Sequence, residues 1–335
     1  MNRMRREIVL AFLILGGGLA VGYRSPAFLT TGSLMDVGTD VSVLVIMALA
    51  QMLVILTRGI DLSVAANLAF SGMIVALINH AAPGLPIPLL ILTALMVGLG
   101  LGLINGAMIA LAGIPPIVVT LATLSIYRGM VFVVSGGRWI SSHEMSPAFQ
   151  AFPNGRLLGL THLIWFAAAA ILLFWAFLRF TVAGRQIVAY GSNPKAALYV
   201  GISRRRVQLL VYSVSGAVAG VCGYLWVARY AIAFTEVAIG FELQVIAACV
   251  IGGVSIAGGV GSVAGCALGA LFLGLIANAL PVIDISPFWQ MLISGAAILA
   301  AVIINTRAQR PAGKIILRPG RAALLTGGSS AGAPS

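Results

Sequence analysis

The sequence is a succession of long apolar stretches, and that pattern constrains the fold more than any single motif. A helix needs roughly 20 mostly apolar residues to cross a bilayer. Ten segments qualify or come close: 7–22, 41–57, 62–79, 87–111, 116–134, 160–178, 207–227, 242–256, 263–280 and 288–304. The breaks between them carry helix-stopping residues, at Pro83-Gly84-Leu85-Pro86, Pro115-Pro116, Ser135-Gly136-Gly137 and Ser286-Pro287. The expected fold class is therefore an all-α polytopic membrane protein of about ten transmembrane helices. With 60% hydrophobic residues, 8% charged residues and a mean hydropathy of +1.08, a soluble enzyme is excluded. An outer-membrane barrel would alternate in short segments instead of running apolar for twenty residues.

The formal charge of +12 suggests a nucleic-acid binder until its placement is considered. With the N-terminus in the cytosol and ten crossings, the inner side carries 15 of the 20 basic residues, and only Arg24, Arg128, Arg138, Arg156 and Arg229 fall outside. Such a bias orients a membrane protein, so the charge is topogenic and no nucleic-acid partner is expected. Both termini are therefore expected on the cytosolic face of the membrane. Arg3, Arg5 and Arg6 precede an apolar stretch like a secretory leader, but no small-residue cleavage site follows, and 8–21 reads as a retained first helix. Residues 1–306 form the expected membrane domain, and the basic, then Gly/Ser/Pro-rich 307–335 a disordered cytosolic tail.

Small residues recur every fourth position at Gly98, Gly102 and Gly106, at Gly216 and Gly220, and at Gly261, Gly265 and Gly269, the spacing that lets helix backbones approach closely in lipid. The glycine-rich run 251–262 is followed by no Lys-Ser/Thr, so it is not a phosphate loop. His80, His143 and His162 lack metal-ligand spacing, and Cys222, Cys249 and Cys266 sit in apolar surroundings as small hydrophobes. No enzymatic constellation, metal site or cofactor is expected in this chain.

Two connections exceed what packed helices need: the inner 179–206 and the outer 135–159. In the inner one, Asn193 has the chemistry of an N-cap, Pro194 of a first helical residue and Gly201 of a stop, which brackets a short helix. It reads either as a docking element or as an amphipathic helix on the membrane surface. The polar residues within spans are neutral: Gln51, Asn67, Asn105, Thr120, Thr123, Gln244, Asn278 and Gln290. They suit hydrogen bonds between helices or contact with a passing polar solute. Asp61 and Glu242 fall at predicted span ends, and no span carries the ionisable pair expected of an ion-coupled carrier. Arg128, about 9 Å inside the outer end of its span at 1.5 Å per residue, either snorkels outward or donates to solute hydroxyls. Asp61 beside Arg58 reads as a stabiliser of the next helix N-terminus.

Five ordered motifs now carry a resemblance: Arg58-Gly59-Ile60-Asp61-Leu62-Ser63-Val64, Asn105-Gly106 followed by Ile114-Pro115-Pro116-Ile117-Val118-Val119-Thr120-Leu121, the 184–201 loop, the 252–262 glycine run, and Ser286-Pro287-Phe288-Trp289-Gln290. Together they resemble the permease subunits of bacterial ABC sugar importers, in the ribose/xylose/rhamnose/autoinducer-2 branch. Gly137-Arg138-Trp139, the 143–149 segment and the 286–289 approach look most like rhamnose permeases, while Ala65-Ala66-Asn67 departs from the Val-Gly-Ser of many relatives. The resemblance implies a vitamin-B12-type importer architecture and a second permease subunit, identical or paralogous. It also implies separate cytosolic ATPase subunits that bind the ATP, and a periplasmic sugar-binding protein. It assigns Gly184, Arg185, Asn193, Pro194, Ala196, Ala197 and Gly201 to a coupling helix and its approach. Arg58 and Asp61 belong to the first of these motifs, on the cytosolic side; from their places in the spans, Asn67, Asn105, Thr120, Arg128, Gln244 and Asn278 are the candidates for the path of a neutral sugar. A permease for nucleosides or branched-chain amino acids is the nearest alternative, and an ion-coupled secondary transporter a remoter one.

Overall fold

A computed structural model describes residues 3–282 together with Ser286, Trp289, Leu292, Gly295, Ala296 and Leu299. The expected tenth span, 288–304, and the tail 307–335 lie outside the continuously described residues. Twelve α-helices follow one another in the described chain: α1 Arg3–Arg24, α2 Thr31–Leu56, α3 Val64–Ala81, α4 Ile87–Ala110, α5 Pro116–Ser135, α6 Pro147–Asn154, α7 His162–Phe180, α8 Val182–Ser192, α9 Pro194–Tyr199, α10 Arg204–Tyr230, α11 Phe241–Ile251 and α12 Val263–Val282. Eight of them (α1 to α5, α7, α10 and α12) are long and apolar enough to cross a membrane. The chain is a polytopic all-α membrane protein.

Two expectations need correction. The segment 242–256 does not form a full-length helix: α11 has only 11 residues and stops at Gly252, and Gly253 then turns the chain with φ of +90°. About 16 Å of helix at 1.5 Å per residue cannot span the hydrocarbon layer alone. The glycine run that follows is packed against protein: a Cβ on Gly252 would lie 2.3 Å from the Gly265 oxygen, and the Gly259 N–H bonds the Leu56 carbonyl. The second helix begins ten residues before 41, because Thr30 accepts a hydrogen bond from the Ser33 N–H as its N-cap, and Asp36 and Asp40 within it are matched by Arg229.

α2, α3 and α10 form the buried centre, with α2 buried from Val41 through Leu56. α4 meets α10 along glycine rows on both helices. A Cβ built on Gly98 would lie 2.3 Å from the carbonyl oxygen of Gly216, and one on Gly216 would lie 2.4 Å from the oxygen of Gly98. Backbone rests on backbone there, as the four-residue spacing predicts.

The connections gather at two ends. At one end, Ser262 donates to Glu7 at the start of α1, Gly259 donates to Leu56 at the end of α2, and the α2–α3 turn meets the α8–α9 junction. At the other, Asn79 bonds Ser146, Arg229 bonds Asn154, and a bridge pairs Ile140 with Ala233. The long 135–159 connection is thus ordered: it holds α6 and runs into a two-stranded hairpin of Arg156–Leu157 with Leu160–Thr161. Within it Glu144 accepts from the Ser141 N–H in a capping box, a bond that holds its carboxyl below the usual range.

Candidate functional site

The first site is the junction around α9. Asn193 closes α8 and opens α9, its Oδ1 accepting from the Ala196 N–H at 3.1 Å, and Pro194 occupies the first turn. Ala197 is buried, whereas Ala196 is exposed and Tyr199 and Val200 are 92% and 76% exposed. Gly201 N–H bonds the Leu198 carbonyl and Ile202 N–H that of Ala197, the paired bonds that end a helix on a left-handed residue. Gly201 has φ of +82° with open space where a Cβ would go, so the demand is conformational alone. Gly201→Val is expected to destabilise the turn by about 1–2 kcal/mol. Gly201→Asn should recover most of the loss, because Asn tolerates this region; solute uptake by membrane-inserted variants measures the difference. Upstream, Thr181 caps α8 through the Gly184 N–H. A Cβ on Gly184 would sit 2.3 Å from the Phe177 oxygen, and Arg185 reaches the Phe180 carbonyl.

α2 ends in the same geometry with different chemistry. Arg58 N–H bonds the Ile55 carbonyl and Gly59 N–H that of Val54, which places Arg58, with φ of +67°, in the position Gly201 fills after α9. A non-glycine residue there costs on the order of 1–2 kcal/mol. Its guanidinium crosses to the α8–α9 junction, Nε donating to the Gly191 carbonyl at 2.8 Å and one Nη to that of Ser192 at 2.9 Å.

Beyond Arg58 the chain dives inward. Asp61 is 2% exposed, its Oδ1 accepting from the Ser63 N–H and hydroxyl and its Oδ2 from the Ser215 hydroxyl. The network continues as Asn105 Nδ2 donates to Ser63 Oγ and the Tyr127 hydroxyl donates to Asn105 Oδ1. Thr120 donates to the Ile60 carbonyl. Asp61 therefore ties the α2–α3 turn to α10 and, through Ser63 and Asn105, to α4 and α5. It does more than favour the dipole of α3, the role its sequence position suggests.

Asn67, Asn105 and Thr120 are buried with hydrogen bonds into the bundle; Asn67 Nδ2 reaches the Gly98 carbonyl at 3.1 Å, beside that of Gly216. Arg128 donates to the Val237 carbonyl and so holds the 231–240 segment. None of these four lines a cleft found at the end opposite α9, whereas Gln244 and Asn278 both do. That cleft, about 460 Å³, is walled by α2, α10, α11, α12 and the 231–240 segment, and Trp226, Tyr230, Asp40 and Glu236 join the two amides. Arg229 Nε and Nη2 both donate to Asp40 Oδ1, at 3.1 and 3.0 Å. Asp40 escaped sequence reasoning because the predicted helix began one residue after it. Its spacing of four from Asp36 was the available signal, since both lie on one helical face.

The family described as "Branched-chain amino acid transport system / permease component" matches residues 33–302. The chain belongs to this permease family. It is 34% identical over 313 residues to the L-arabinose ABC transporter permease protein of Azospirillum brasilense, covering 93% of this chain and 91% of that one. It is likewise 34% identical to the ribose import permease protein of Escherichia coli K12, covering 91% and 95%. Identity is 30% to the autoinducer 2 import system permease protein of Shigella flexneri, covering 90% and 87%. No solved structure matches the chain. As an ABC permease it is a membrane transport component, and both the α9 junction and the cleft fall within the matched region.

Proposed function

We propose that this permease carries a neutral monosaccharide inward across the bacterial inner membrane, with a deoxyhexose such as L-rhamnose as the first candidate. The composition of the cleft is the supporting observation. Trp226 and Tyr230 offer apolar ring surface, and Gln244, Asn278, Asp40 and Glu236 offer hydrogen-bonding groups that can match sugar hydroxyls. Arg229 is engaged by Asp40 and Asp36, and Arg128, close to Glu236, donates to the Val237 carbonyl. Asp40 and Glu236 can meet the α-ammonium of a branched-chain amino acid, but no cation among the described lining residues meets its α-carboxylate, whereas a sugar needs neither. That favours a sugar over the nearest alternative. The names of the arabinose, ribose and autoinducer permeases support the same class.

On this reading both termini and α9 are cytosolic and the cleft faces the periplasm. A periplasmic binding protein delivers the sugar to a pair of permease subunits, identical or paralogous. Separate cytosolic ATPase subunits bind ATP and dock on α9, leaving this chain without an ATPase site of its own. The exposed Tyr199 and Val200 suit burial against such a partner. The test is uptake into proteoliposomes holding the assembled importer with its binding protein, using labelled L-rhamnose, L-arabinose, D-ribose, leucine and a nucleoside. The expected result is ATP-dependent, vanadate-sensitive uptake of a sugar, lowered at least tenfold by Gln244→Leu with Asn278→Leu. Uptake of leucine or nucleoside instead would establish the alternative substrate class, and uptake driven by an ion gradient without ATP would establish a secondary transporter.

A further inference from the structure

We infer that Arg58 is a positioning residue that fixes the α8–α9 docking element to the membrane core and carries its displacement into the bundle. The inference rests on the reading of α9 as the docking helix; the bridge itself is geometry. Three segments far apart in sequence meet at one point. The Arg58 guanidinium holds the last two carbonyls of α8, Gly191 and Ser192. The Gly259 N–H holds the free carbonyl of Leu56 at the end of α2. A Cβ on Gly191 would lie 1.7 Å from that same Leu56 oxygen and 2.7 Å from the Gly259 nitrogen, and one on Gly258 would lie 3.0 Å from the Gly191 and Leu56 oxygens, so the turn, the junction and the glycine run are in backbone contact.

The choice of residue is informative. α2 and α9 end in the same paired hydrogen bonds, and after α9 the left-handed position is Gly201. After α2 it is an arginine, a residue this backbone conformation disfavours. Ending the helix does not call for arginine, whereas spanning two adjacent carbonyls does: the planar guanidinium presents donors in a fixed fork, and cationic donors suit the negative end of a helix. Three residues further on, Asp61 fastens the same turn to Ser215 of α10, and Ser63 fastens it to Asn105 of α4. Movement of α9 thus has a hydrogen-bonded route through Arg58 to the helices at the centre.

Arg58→Gly is the discriminating variant. If Arg58 served only to end α2, glycine would be as good or better there, and the variant would fold and transport normally. If Arg58 positions the docking element, the assembled importer should keep its basal ATP hydrolysis. It should then lose stimulation by sugar-loaded binding protein, and the ATP hydrolysed per sugar taken up should rise about tenfold. Arg58→Lys, which keeps the charge and one donor, should fall between the wild type and Arg58→Gly, and it also supplies the measurement if the glycine variant does not assemble. The probe is labelled L-rhamnose, or whichever sugar of the panel the wild type transports, in proteoliposomes with amounts normalised to assembled complex. An unchanged ratio in both variants would overturn the inference, as would activity that falls only in proportion to assembled complex. A wild type that takes up no solute with ATP would instead remove the functional reading and leave the bridge as a structural clasp.

Discussion

Gly98→Val is expected to leave little folded permease in the membrane, whereas Gly100→Val two residues along the same helix should be nearly silent. A Cβ at Gly98 would lie 2.3 Å from the Gly216 oxygen and 2.6 Å from the Cα and N of Gly220, all backbone atoms that no rotamer change can clear. α4 and α10 would have to separate, which would also pull apart the carbonyls that Asn67 bridges. Overpacking a tight core typically costs about 1–3 kcal/mol, and a clash with fixed backbone belongs at or beyond the upper end. A marginally stable protein has about 5–15 kcal/mol in total. Gly100 has nothing within 4 Å of its prospective Cβ. Thermal unfolding of the detergent-purified variants, compared side by side, tests the contrast. Equal melting temperatures for the two would mean that the glycine row does not hold these helices together.

Asp61→Ala is expected to have the next largest effect. It leaves the Ser63 N–H, the Ser63 hydroxyl and the Ser215 hydroxyl without their common acceptor in a buried place. An orphaned buried donor costs about 1–3 kcal/mol, and the serine hydroxyls can rotate to relieve part of it, so a loss of about 3 kcal/mol is expected. Asp61→Asn keeps Oδ1 as an acceptor, and its amide can donate to the Ser215 oxygen. It should retain most of the stability while sugar preference stays unchanged. Denaturation midpoints and uptake rates for the pair measure both; an alanine variant as stable as asparagine would show that the network does not support the α2–α3 turn.

The helices that face lipid on one side and protein on the other were legible because the membrane fixes their length. α4, for instance, starts at the expected Ile87 and ends within a residue of the expected 111. What escaped were features in which partners distant in the chain decide the outcome. Asp36 and Asp40 look too polar for a span until Arg229, nearly two hundred residues later, meets them. α11 looks like a span until Gly252 is seen to lie backbone to backbone with Gly265. At the α8–α9 junction Asn193, Pro194 and Gly201 were readable because capping is local. The partners of Arg58, at 191 and 192, were not. Among the polar residues placed inside spans, those at 67, 105 and 120 are taken up by helix contacts, while 244 and 278 line a cleft. Amide chemistry alone does not separate the two fates.

The glycine-on-glycine seam between α4 and α10 also limits how the permease can move. Where side chains interdigitate, a helix can slip by one ridge and find a new fit. Where two backbones touch, any slip drives a carbonyl into its neighbour. The two helices must therefore travel as one rigid beam, with Asn67 of α3 riding on it. Alternation between outward and inward openings then has to be absorbed at hinges elsewhere. The left-handed glycines at 113, between α4 and α5, and at 240, before α11, have open space where a Cβ would go, and there the backbone has that freedom.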